Sequence, residues 1–71
     1  MTLTDIPIGK EVTISYLKES HIRICLIERG FLSDSKITKI HSISKNGPFI
    51  FSIGGSKFCL RKDESDLIII K

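Results

Sequence analysis

The side chains here that could hold a metal ion are His21, His41, Cys25, Cys59 and the acids Asp63, Glu64 and Asp66. Zinc sites are built from cysteines and histidines in close pairs. These four residues show no such pairing. The acids of "KDESD" could accept a hard cation weakly, but nothing in the stretch fixes a coordination shell. Serines are plentiful, yet none lies in a nucleophile motif and no histidine–carboxylate pair accompanies one. "GGSK" is too short to cradle phosphate and reads as a hairpin turn. The sequence therefore implies no enzyme, no cofactor, no resident metal and no small-molecule substrate. What remains is a surface.

The elements that carry this surface must come from 71 residues, enough for a single domain over residues 1–71. A chain of this size buries only about 60% of its unfolded surface. The hydrophobic share is 41% and the charged share 27%, ordinary values for a globular fold. No apolar run approaches the ~18 residues of a membrane span. "MTLTDIPIGK" lacks the basic and apolar regions of a signal peptide, so the expected compartment is the cytoplasm. In that reducing setting Cys25 and Cys59 are expected to be buried thiols.

Charge is unevenly placed. The net charge is +3. Residues 36–62 contain Lys36, Lys39, Lys45, Lys57, Arg61 and Lys62 and no acid. A one-signed segment attracts anionic partners. It serves equally well as the solvated face of a sheet.

Strand signals dominate. "EVTISYL" alternates, with Val12, Ile14 and Tyr16 expected inward. "KESHIRICLIERGF" changes period and predicts a helix over residues 20–29, with Ser20 as N-cap and Gly30 just past the end. Its apolar stripe is Ile22, Cys25 and Leu26. In "KITKIHSIS" the isoleucines at 37, 40 and 43 recur every three residues, which fits a strand containing a bulge. Asn46-Gly47 and Gly54-Gly55 mark tight turns around "FIFSI", whose Phe49, Phe51 and Ile53 point inward. "SKFCLR" returns with Phe58 and Leu60 on one face. "KDES" reads as a charged turn and "DLIIIK" as a final covered strand. Five strands and an early helix imply a mainly β fold, a small, partly open five-stranded barrel with one short helix after the first strand.

Order and spacing bring a resemblance into view. The chain resembles the FeoA family of bacterial ferrous iron uptake, whose SH3-like domain also ends iron- and manganese-dependent repressors. The resemblance rests on "LTDIPIG", "RICLIERGF", "NGP" and "FSIGGSKFCLRKDESDLIII". The chain departs from the family where Arg29 precedes Gly30 in place of Leu, and where Ser33-Asp34 replaces Pro-Gly. The resemblance implies an accessory protein that docks on the cytosolic, GTP-binding part of the membrane transporter FeoB. Arg29, Phe31 and Leu32, at the end of the helix, are the expected contact residues. Lys39 and Arg61 are the expected electrostatic rim. Phe31 has a second reading, as the residue that staples the helix to the sheet. A weak homodimer stays compatible with this surface. The alternative class is a basic barrel that binds nucleic acid or accompanies a transcription regulator. Against it, Phe49, Phe51 and Phe58 go to the core and leave no stacking platform.

Overall fold

The computed structural model describes residues 1–71. Its strands are β1 (Glu11–Leu17), β2 (Lys36–Ser42), β3 (Phe49–Ile53), β4 (Ser56–Leu60) and β5 (Ile68–Ile70). Helix α1 (Arg23–Glu28) follows β1, and α2 (Lys62–Ser65) precedes β5. All strand pairs are antiparallel, in the order β4-β3-β2-β1-β5. This is the expected mainly β, SH3-like small-barrel fold. The sheet is left open, because β4 and β5 are its two ends.

The β3–β4 hairpin follows its sequence signals. Gly54 and Gly55 both take positive φ, 55° and 88°, the pairing a two-residue turn needs to match strand twist. Phe51 then faces Phe58 and Phe49 faces Leu60. Phe49, Phe51 and Leu60 are buried, while Phe58 is half-buried. The bulge expected in β2 is present between Lys39 and His41. Its effect differs from the expectation: Ile37 and Lys39 turn inward, and Ile40 and Ile43 are exposed.

A second irregularity, between Ile14 and Tyr16 where β1 meets β5, is absent from the sequence reading. One extra residue reverses which side chains face inward. Ile14 and Leu17 are buried as a result, and Tyr16 stands in solvent.

Helix α1 has six residues, not ten. Ile22 occupies the N-cap position without a side-chain bond. Ser20 Oγ instead accepts the Ile22 N–H at 3.3 Å, ahead of the helix. The C-terminal end is better defined. Gly30 N–H donates to Ile27 O at 3.0 Å and Phe31 N–H to Leu26 O at 3.1 Å. This is the Schellman motif, with Gly30 at φ 107° where a side chain would be strained. The motif normally brings together apolar residues at these last two positions, and Leu26 and Phe31 are both buried.

Both cysteines are exposed, contrary to expectation. So short a helix covers the sheet with a narrow stripe, Leu26 and part of Ile27, which leaves Cys25 outside. Cys59 falls on the outer face of β4 because Phe58 and Leu60 take the inner one. "KDES" forms α2 rather than a turn: Ser65 N–H reaches Arg61 O and Asp66 N–H reaches Lys62 O, each at 2.9 Å.

The N-terminal segment closes the β5 end. Leu3–Asp5 form a 3-10 turn, with Leu3 and Ile6 buried in the core. Thr2 bridges to Ile69, and Ile70 N–H donates to Met1 O at 3.1 Å. Thr4 Oγ1 donates to Asp66 Oδ1 at 2.5 Å, fastening the segment to α2.

Candidate interaction surface

The Schellman turn decides what the end of α1 can offer a partner. Holding Phe31 two residues past the helix cap sends its ring into the core, edge-on to Phe58 with centroids 5.3 Å apart. Phe31 is fully buried, so of its two readings the structure favours the staple. Arg29, two residues before it, faces solvent, and Leu32, directly after it, is 47% exposed. After them the chain turns through Asp34 at φ 71°, whose carboxylate pairs with the Lys71 ammonium.

Lys39 is corrected more sharply. It was expected on an electrostatic rim and is 4% exposed. The β2 bulge turns it inward beneath the N-terminal segment. Its Nζ donates to Thr4 O at 2.9 Å and lies 4.3 Å from the centre of the Phe49 ring. Burial lowers its pKa, and the negative charge of Asp5 opposes that shift only in part. Lys39 is a post that holds the N-terminal segment down. It is not available to a partner. The other five cations of residues 36–62 are exposed.

Arg61 is exposed at the end of β4, and a groove of about 620 Å³ brings it together with Arg29. Asn46, Cys59 and Lys62 also line this groove. The acid on its wall, Glu64, accepts the Arg61 backbone N–H at 2.8 Å. The groove thus unites two expected residues, Arg29 and Arg61, with Asn46, Cys59 and Lys62, which the sequence did not mark as contact residues. The acid-free run over residues 36–62 was the available signal for Lys62 and for the sign of the groove. Cys59 was missed because cysteine usually packs inside.

The remaining chemistry is dispersed. No three histidine, cysteine or acidic side chains come together as a metal-binding group. His21 and His41 are both exposed. Of the aromatic residues only Tyr16 is exposed. No helix is long and apolar enough to cross a membrane. The pKa of Asp66 lies below the ordinary carboxylate range. The Thr4 hydrogen bond lowers its pKa, Lys62 assists, and partial burial opposes them.

Comparison with solved structures places the fold. Iron(II) transport protein A from Clostridium thermocellum superposes with a TM-score of 0.92 at 28% identity, over 100% of this chain and 44% of that one. This chain therefore spans less than half of that protein. FeoA of Stenotrophomonas maltophilia, a prokaryotic SH3 domain protein solved in complex with zinc, gives 0.90 at 21% identity, over 100% of this chain and 89% of that one. The FeoA-like protein of Clostridium acetobutylicum also gives 0.90 at 21% identity, over 100% and 84%. None of the curated proteins matches the chain in sequence. The model of the FeoA domain matches residues 1–71, and the chain belongs to the FeoA family.

Proposed function

We propose that this protein acts in ferrous iron uptake by docking on the cytosolic GTP-binding part of a FeoB-type transporter. The surface that docks is the end of α1 together with the basic groove beside it. One observation carries the reading. The chain places Arg29 and Arg61 on one groove and presents Leu32 to solvent three residues after Arg29. An exposed apolar residue beside cations is what a protein contact uses: the apolar group supplies contact area, and the charges steer encounter.

Capture of the isolated FeoB cytosolic domain by the immobilised protein tests this. Binding is expected, and both Leu32→Ser and Arg29→Glu should weaken it while the circular dichroism spectrum stays unchanged. Phe31→Ala cannot serve here, because its ring belongs to the core. Absence of capture, with or without bound guanine nucleotide, would overturn the proposal.

A further inference from the structure

We propose that the open edge of β4 is a strand-addition site for an extended acidic segment of a partner protein. The segment's backbone pairs with Lys57 and Cys59, and its carboxylates meet Lys57, Arg61 and Arg29. This inference builds on the docking reading above and names the chemistry of the contact.

The phase of the hairpin exposes the bonding groups. In a two-residue hairpin the flanking pair, here Ile53 and Ser56, is hydrogen-bonded. Pairing alternates along an antiparallel ladder, so Phe51–Phe58 and Phe49–Leu60 are hydrogen-bonded as well. Lys57 and Cys59 fall between these pairs and turn their N–H and C=O groups away from β3. β4 ends the sheet, and nothing outside the sheet bonds to either residue. Two donors and two acceptors therefore stand ready at strand spacing, the pattern that strand addition uses.

Side chains select the occupant. Cys59 belongs both to this edge and to the basic groove, so the two are continuous. Lys57, Arg61, Lys62 and Arg29 are all exposed along that line, while Glu64 is engaged with the Arg61 N–H. A second copy of this chain would set like charges against each other if it paired through the same edge. Proteins use edge lysines to discourage such self-pairing. An acidic strand converts the same lysine into an attraction, because opposite charges across neighbouring strands stabilise the pair. On the other side of the edge lies half-buried Phe58, which suits apolar residues alternating with the acids.

The experiment uses a fluorescent peptide of about eight residues alternating valine and glutamate, matched to the two-residue period of a strand. Its binding to the full chain is followed by anisotropy and by amide NMR. Binding should shift the Lys57 and Cys59 amide signals. Arg61→Glu and Cys59→Pro should each weaken it by about tenfold or more. Proline at 59 removes an N–H that β3 does not use. Should that variant fail to fold, N-methylation of the peptide's bonding amides makes the same cut from the other side. The proposal is overturned if the peptide does not bind or if binding survives N-methylation. It is also overturned if a DNA oligonucleotide binds equally well, or if a dimer lost in Cys59→Pro occupies the edge. FeoB capture that Cys59→Pro leaves intact would refute the edge site and keep the docking partner. Peptide binding without FeoB capture would do the reverse.

Discussion

The two ends of the sheet are finished in opposite ways. At the β5 end, residues 1–6 lie alongside: Thr2 bridges Ile69, Leu3 and Ile6 enter the core, and Thr4 is held by both Asp66 and Lys39. At the β4 end no backbone group from outside the sheet bonds to Lys57 or Cys59, and the cations Lys57 and Arg61 stand exposed there. A free sheet edge invites unwanted pairing. Here one edge is closed with apolar cover and hydrogen bonds, and the other is guarded by charge alone. Closure by packing is permanent, whereas a guard of charge yields to a partner of the opposite sign. Under the strand-addition proposal, that contrast assigns partner binding to β4 and stability to the N-terminus, and substitutions can separate the two.

The largest effect is expected from Leu3→Ala. Leu3 is fully buried, and truncating a buried leucine costs about 2–5 kcal/mol. In a fold this small, that is a large share of the total stability. Urea denaturation should show it as a fall in midpoint. A loss below about 1 kcal/mol would mean that the N-terminal segment is decoration and the β5 edge is effectively open.

Gly30→Ala comes next, at about 1–2 kcal/mol, because a φ of 107° strains any residue with a Cβ and nothing else crowds the position. Its value to the comparison is geometric. Gly30 lets the chain turn so that Phe31 reaches Phe58 on β4 and Arg29 reaches the groove. The variant should therefore weaken partner binding more than Leu3→Ala does, once both are measured well below their unfolding midpoints.

These residues also show how far the sequence could be read. "ERGF" announced a helix end, and the Gly54-Gly55 pair with alternating phenylalanines announced the β3–β4 hairpin, because turn chemistry and period are local. The β1 irregularity was not legible. A bulge is set by how two distant strands come into register, so Tyr16 was placed inward and Leu17 was not recognised as core. Lys39 was misplaced for a related reason. Lysine is almost always solvated, and only a segment more than thirty residues away supplies the carbonyl that receives it. The groove was half legible: Arg29 and Arg61 could be named, but their convergence depends on the Schellman turn and the β4 phase together.

Lys39→Met tests the post beneath the N-terminal segment. The substitution loses the bond to Thr4 O and the contact with Phe49, but it also removes a buried charge, and such exchanges are often neutral or stabilising. The expected change near neutral pH is about 1 kcal/mol or less. The pH dependence is more telling. The folded pKa of Lys39 lies below its unfolded value of 10.5, so the unfolded chain holds more protons in that window and wild-type stability gains as pH rises toward 10.5. The methionine variant should lack that gain, seen as a flatter midpoint-against-pH curve. On the acid side the sign is opposite. Asp66 is depressed below 3.8, so the stability from its Thr4 bond is complete above that value and lost as pH falls through the folded pKa. Because Asp66 is partly exposed, its share is below about 1 kcal/mol, and Thr4→Val should remove it.

The smallest effect on stability, and the sharpest test of the comparison, is Lys57→Val. The side chain is exposed, and replacing it should move the midpoint by no more than about 0.5 kcal/mol. Valine favours strands and carries no charge, so the guard on the β4 edge is lost while the bonding groups stay in place. Sedimentation velocity should then reveal concentration-dependent association stronger than that of the wild-type chain, and added salt should promote it further by screening Arg61 and Lys62. Adding Cys59→Pro should return the chain to monomer, since it deletes the edge donor. If Lys57→Val stays monomeric at high concentration and high salt, the β4 backbone is protected by something other than charge. The contrast between a packed edge and a charged one would then fail, and the strand-addition site with it.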